Sequence, residues 1–538
     1  MTLERGFAPA LPAPPPIMGA MPRNNPRLLW LAIPLAFILY FYRLDAAGLI
    51  GPDEPRYAAI GREMARSGDW ITPRLWGLPW FEKPPLLYWM TGATFRLGLG
   101  TELAPRLPVA LLAVAFLTFY WWMVRREFGC LAAGLATLIL GTCGEWLGFS
   151  QVGATDLPLA ATFSAAMLLA VPWIARRETR FLPAASALLG FAVLAKGLTP
   201  LVLAAPVVPA VWWFGRRPDD AGRAAPAFRD LARPRVAAPF LVVALPWYLL
   251  CYLRNGMAFP AEFFWRQQVQ RFTSGELLHG QPWWYYLPVL AGAFLPWTPL
   301  LPLAVRRAAL GDRRRLFLLA WVLFGLVFFS LAVNKLAGYI LPLFPAAALL
   351  VALGLEETVS AKPWLAACAL LLVAFPMAVP ALPAALAWGL SRAPRPAFEW
   401  WWLSPAAVAA AGWALENRGR RLAAVAVIAT GVAAGILYVK QSAAPRVDGL
   451  VSARGLWRTI AGRAGDVCID NIGRNWIYGL NYYSVTPLAE CGAQPRPLWI
   501  VQSPGQPPRL VPAPAPMAPM VDLATPRVVP SPFRTRMP

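Results

Sequence analysis

Histidine is almost missing from this 538-residue chain, which has one, His279. A zinc centre built from several imidazoles is therefore excluded. Charge is scarce too, at 14% against 58% hydrophobic residues, with a mean hydropathy of +0.50. A chain so poor in charge cannot hide its apolar residues in soluble cores of ordinary surface-to-volume ratio. The class that remains is a polytopic membrane protein. Acids are the scarcer sign, 27 Asp and Glu against 49 Lys and Arg. The basic surplus does not describe a nucleic-acid surface, because the arginines stand in short clusters between apolar runs, near 125–126, 176–180, 216–235, 306–315 and 418–421. Such clusters read as cytoplasmic anchors. No repeat of solenoid period is present.

Setting every arginine cluster inside the cell gives an all-α bundle of about thirteen spans between residues 28 and 438, amino end cytoplasmic and carboxyl end outside. Several segments, 181–195 and 199–214 among them, are shorter than the roughly 20 residues of a perpendicular span, which predicts tilted or broken helices. The domains read as a disordered cytoplasmic start (1–27), a membrane domain (28–442) with a long outer loop (43–102), a small α/β outer unit (443–502) and a Pro-rich disordered tail (503–538). The first apolar segment reads as an uncleaved anchor, since no small-residue cleavage site follows it. Of six cysteines, only Cys468 and Cys491 fall in the outer unit. A disulfide or two free thiols fits their spacing equally well.

The unusual residues collect on the outer side. Asp53-Glu54-Pro55-Arg56-Tyr57 follows the first apolar segment, and Phe81-Glu82-Lys83-Pro84-Pro85 follows that. Acids and bases concentrated at the mouth of a membrane bundle are expensive unless they bind or react with something. Residues 55–65 put Tyr57, Ile60 and Met64 on one helical face and Arg56, Arg62 and Glu63 elsewhere, the pattern of a short interfacial helix. A second, more apolar helix is predicted from Pro84-Pro85, with Leu86 to Phe95 dipping beside the site. Taken singly, each residue has a plainer explanation. Asp53 is then a solvated loop acid, Lys83 a snorkelling cation, Tyr339 an aromatic-belt residue and Asp156 a helix cap before Pro158.

The motifs read together change that balance. Asp53-Glu54-Pro55-Arg56-Tyr57-Ala58, Ser67-Gly68-Asp69-Trp70, Phe81-Glu82-Lys83-Pro84-Pro85-Leu86, Ala154-Thr155-Asp156-Leu157-Pro158, Leu194-Ala195-Lys196-Gly197 and Lys335-Leu336-Ala337-Gly338-Tyr339-Ile340-Leu341-Pro342 occur in that order. Over most of 28–355 the chain resembles the bacterial aminoarabinose lipid A transferases of the GT-C superfamily, relatives of the protein O-mannosyltransferases. The resemblance fades in the last spans and the outer unit. It implies transfer of a sugar from a polyprenyl phosphate donor to a lipid, glycan or protein acceptor of the envelope, at the outer face of the inner membrane. It implies Asp53 as general base or acceptor-positioning carboxylate with Glu54 as a less defined partner. Lys83 and Tyr339 would contact the donor phosphate, with Arg271 adding charge, and Asp156 would shape the acceptor entrance. Arg56, Tyr57, Glu82 and Lys335 complete the candidate substrate contacts. No acid is needed to protonate a phosphate leaving group.

One departure stands out. Relatives often carry Glu-His where this chain has Gln267-Gln268, and that His with the Glu of the Glu-Lys-Pro motif can bind a metal. Metal-independent transfer without a cofactor is expected here, the alternative being a hard divalent ion on carboxylates. Two other classes compete with a transferase. A transporter or flippase calls for internal repeats and charges near the bilayer midplane, and a non-catalytic lipid-binding or assembly protein does not need Asp53. Convergence of Asp53, Lys83 and Tyr339 on one outward cavity separates the first reading from these.

Overall fold

The computed structural model describes residues 32–215, 225–270, 280–305 and 311–514. Residues 43–102 supply helix α1 (Asp53–Ser67), a two-stranded ribbon β1 (Arg74–Leu75) and β2 (Leu78–Pro79), and helix α2 (Leu86–Arg96). Helix α1 starts with two acids in its first turn, which suits the helix dipole, and stops at Gly68, whose φ of 72° is the left-handed cap that glycine accepts. It is not a half-exposed interfacial helix. Arg56 and Arg62 are buried along with Tyr57, Ile60 and Met64, because the carboxyl-terminal unit covers the face that the sequence pattern leaves polar.

The bundle follows with α3 (Leu103–Phe128), a bent pair α4 (Cys130–Thr142) and α5 (Gly144–Ser150), α6 (Asp156–Arg176), α7 (Leu182–Lys196), α8 (Pro234–Asn255), α9 (Arg313–Leu331), α10 (Phe344–Glu356) and α11 (Arg421–Ser442). Among the described residues eight helices are long and apolar enough to cross a membrane, or ten if each of two bent pairs is one span. Thirteen were expected. Part of the difference lies in apolar helices of fewer than 18 residues, Ala32–Phe41 and Thr199–Gly215, and in Ser404–Asn417 with 14.

Helices α6 and α10 are buried almost all round and form the middle of the bundle. Both are rich in alanine, and small side chains let neighbouring backbones approach where there is no water to drive association. Tyr120 donates to the Pro345 carbonyl at 2.7 Å and Ser164 to that of Pro342 at 3.2 Å. Between α4 and α5 the chain turns by 60° at Cys143, which is extended. The break leaves the Gly144 amide without a helical acceptor, and the Leu295 carbonyl takes it at 2.9 Å.

The bundle has two chemically different ends. At one, Arg176 grips Glu127 through two bonds of 2.6 and 2.8 Å, Arg126 reaches Glu178 at 2.8 Å, Arg177 reaches Asp230 at 2.9 Å, and Arg421 donates to the Leu355 carbonyl. Arg126, Arg176, Arg177 and Arg421 thus fasten separate segments to one another at this end. At the other end these helices present Arg106, Asp156, Lys196, Asn255 and Lys440, and the segment between α9 and α10 adds Lys335 and Tyr339.

The carboxyl-terminal unit is a four-stranded sheet made by β3 (Val467–Asp470), β4 (Ala489–Glu490), β5 (Leu498–Val501) and β6 (Arg509–Pro512) in the order β4-β3-β5-β6, with helix α12 (Arg474–Ser484) between β3 and β4. Strand β6 carries the unit past residue 502, where the sequence suggested that order ends. Cys468 and Cys491 form a disulfide. The unit docks on the 43–102 segment. Arg62 donates to the Tyr482 carbonyl at 2.6 Å, Tyr482 to that of Thr101 at 2.6 Å, and Arg454 to those of Asp45 and Ala46.

Candidate active site

Two adjacent carboxylates at the start of α1 have opposite surroundings. Glu54 is buried and held by Arg106 through bonds of 2.7 and 2.8 Å, and it also accepts from the Ile50 and Gly153 amides. Arg106 spends its remaining donors on the carbonyls of Leu44, Ala47 and Gly48. Both oxygens of Glu54 are saturated, so it knots the loop before α1 to the loop before α6. The catalytic role suggested for it is corrected to a structural one. Asp53, one residue earlier, keeps 55% of its side chain exposed and takes a single ion pair, 2.6 Å from Arg56.

Arg56 joins that carboxylate to the second motif. Its terminal nitrogen lies 2.6 Å from Asp53 and 3.1 Å from Glu82, and Glu82 lies 3.6 Å from Lys83. Asp53, Arg56, Glu82 and Lys83 therefore form one alternating chain of charge. The guanidinium is 3% exposed and packs on the rings of Tyr57, Trp80 and Tyr478 at 5.3, 5.5 and 5.4 Å. Burial alone would weaken its hold on the proton, but Glu82, then Tyr57 and Asp53, outweigh it and push its pKa up. It stays cationic. Burial, reinforced by Glu82, raises the phenols of Tyr57 and Tyr88, which stay neutral. Three buried donors beside this chain have no acceptor, Arg56 Nε, Trp80 Nε1 and Tyr88 Oη. Unpaired buried donors are costly, so their presence favours a ligand rich in oxygen acceptors.

A second cluster stands on the helix ends. Lys196 Nζ lies 2.6 Å from Asp156 and 4.9 Å from the centre of the Tyr339 ring. Lys196 is thus an ion-paired, half-buried cation. Lys335 is buried and donates to the Gln281 and Ala332 carbonyls at 2.9 and 2.5 Å. Glu145, at the α4–α5 break, is buried with neither oxygen hydrogen-bonded. Of the three residues whose convergence separates the readings, Asp53 and Lys83 share one ion-pair chain, while Tyr339 stands in the second cluster beside Lys196. Arg271 and His279 lie outside the described residues.

Among the described residues no three His, Cys, Asp or Glu side chains group as a metal site. Glu82, the motif's potential ligand, has its oxygens against Arg56 and Lys83, so a cation there would have to displace two others. Sequence reasoning missed Arg106, Glu145 and Tyr478. A charged residue just inside an apolar helix was the available signal for Arg106 and Glu145. Nothing in the sequence distinguished Tyr478.

Residues 82–218 match the family model described as dolichyl-phosphate-mannose-protein mannosyltransferase. The chain is similar to an undecaprenyl phosphate-alpha-4-amino-4-deoxy-L-arabinose arabinosyl transferase of Aeromonas hydrophila, with 35% identity covering 60% of this chain and 59% of that one. It is similar to the enzyme of the same description from Erwinia tasmaniensis at 33% identity, covering 66% and 65%. The matched region thus spans about three fifths of the curated relatives' length. The likeness in fold reaches further. The crystal structure of ArnT from Cupriavidus metallidurans bound to undecaprenyl phosphate superimposes with a TM-score of 0.70 at 27% identity, covering 89% of this chain and 87% of that one.

Proposed function

We propose that this chain, a GT-C superfamily membrane protein of the aminoarabinose-transferase type, transfers a glycosyl group from a polyprenyl-phosphate-linked sugar to an envelope acceptor at the outer face of the cytoplasmic membrane. The observation that carries the reading is the pairing of an exposed carboxylate, Asp53, with the buried cation Arg56 and the half-buried Lys83 in one chain of charge, at the end of the bundle opposite the arginine clusters. The reaction is a single inverting displacement. The acceptor oxygen attacks the anomeric carbon, its proton passes to Asp53, and the bond to the lipid phosphate breaks with the electron pair staying on that phosphate. Lys83 meets the leaving charge in a partly dehydrated setting, where a charge-assisted contact is strong. Lys196 and Tyr339 offer a second place for phosphate oxygens. The arginine end faces the cytoplasm under the positive-inside rule, which puts the site and the carboxyl-terminal unit outside.

The test is transfer from undecaprenyl-phosphate-linked 4-amino-4-deoxyarabinose in purified membranes. Asp53→Asn is expected to abolish turnover while keeping donor binding, because it removes the proton acceptor at nearly constant volume. Turnover near the wild-type rate would reject Asp53 as the base. Lys83→Ala is expected to weaken competition by free undecaprenyl phosphate, and unchanged competition would take Lys83 out of the donor site.

A further inference from the structure

We propose that the carboxyl-terminal unit completes the reaction site, with Tyr478 as the positioning residue that holds Arg56 and, through it, Asp53. The inference rests on the transfer reading above and goes beyond it, because none of the residues that carry that reading lies in this unit. Of the three rings around the Arg56 guanidinium, Tyr57 and Trp80 arrive with the outer loop itself. Tyr478 comes from α12, more than 400 positions later, and lies 5.4 Å from the guanidinium carbon. It also stacks on Trp76 of the β1–β2 turn, with ring centres 5.7 Å apart and planes at 21°. The outer unit thus closes the remaining side of a cation whose one terminal nitrogen bridges Asp53 and Glu82.

The consequence is geometric. With Tyr478 in place, Arg56 is shielded from water and its bond to Asp53 keeps one direction, which fixes the carboxylate toward an incoming acceptor. Without the ring, water reaches the guanidinium and the side chain gains rotamers. The docking of α12 does not depend on this contact. Arg62 stacks on the Tyr482 ring at 4.4 Å and donates to its carbonyl, and Tyr482 bonds to Thr101. Tyr478 can be changed with the unit still seated.

Three variants and two readouts test the idea. Tyr478→Phe keeps the ring and is expected to turn over like the wild type. Tyr478→Ala and Tyr478→Leu, one open and one apolar without a ring face, are expected to lose kcat about tenfold or more with KM for the lipid-linked donor unchanged. The second readout needs no activity. Modification of Arg56 by phenylglyoxal, followed by peptide mass spectrometry, should be slow in the wild type and Tyr478→Phe and fast in Tyr478→Ala. Equal protection of Arg56 in Tyr478→Ala, or wild-type kcat in both ring-less variants, would overturn the proposal. A wild-type protein that transfers nothing while Arg56 protection still follows the ring would instead count against the transfer reading.

Discussion

Asp53 and Glu54 are neighbours of the same chemical type, and their different surroundings predict opposite responses to mutation. Removing the Glu54 carboxylate leaves Arg106 charged in a site with 5% side-chain exposure, and breaking one side of a buried pair costs roughly 3–5 kcal/mol. Glu54→Ala is therefore expected to lower the unfolding midpoint in detergent strongly or to prevent accumulation of folded protein. Asp53→Asn removes the charge of a half-exposed carboxylate and leaves buried Arg56 paired with Glu82, so its midpoint should stay much closer to the wild type than that of Glu54→Ala. A stable, well-folded Glu54→Ala would show that the knot between the two loops is dispensable. The acidic motif was legible in the sequence as a unit, but the division of labour inside it was not. Which oxygen meets Arg106 depends on a residue 52 positions away, and no local pattern carries that information.

Between elements, the tightest approach to backbone among the described glycines is Gly354 of α10, where an added Cβ would sit 2.1 Å from the Leu303 carbonyl oxygen. Backbone cannot swing aside as a side-chain tip can, so Gly354→Ala should cost about 1–3 kcal/mol, read as a lower unfolding midpoint. An unchanged midpoint would mean that Thr298–Val305 is free to slide. At the arginine end, burial raises the carboxylate of Asp230, but hydrogen bonds from Arg177 and Trp173 outweigh it and hold its pKa below the usual range. Glu178 is lowered in the same way by Arg176 and Arg126. A depressed folded-state value gives stability that is complete above the ordinary carboxylate pKa, about 4, and is lost as pH falls through the depressed one. Stability should be flat from neutral pH down to about 5 and fall below about 4, and Asp230→Asn should flatten that fall. Acid sensitivity unchanged in Asp230→Asn would assign it to other groups.

For the molecule as a whole, orientation can be read from a native thiol. Cys130 is the exposed free cysteine and stands at the arginine end, while Cys143, Cys251 and Cys368 are buried. A membrane-impermeant maleimide should label Cys130 in inverted vesicles and leave it unlabelled in intact cells. Labelling in intact cells would reverse the topology and move the Asp53 site to the cytoplasm.

The membrane class of this protein follows from sequence because hydropathy and charge clustering are local properties. A run of alanine and leucine is apolar whatever it packs against, and Arg125-Arg126 resists the bilayer interior wherever the helix stands. The tertiary structure alone decided which charges became partners. Arg62 meets Tyr482 across 420 positions and Lys440 meets Tyr42 across 398, and Arg56 packs on Tyr478 of the carboxyl-terminal unit. The helix periodicity of residues 55–65 correctly gave a helix and wrongly gave it a wet face, because periodicity records which side is polar and not what covers it. A buried ion pair is a property of two distant segments brought within 3 Å, and its energy depends on water excluded by a third, so it becomes readable only once the chain has folded.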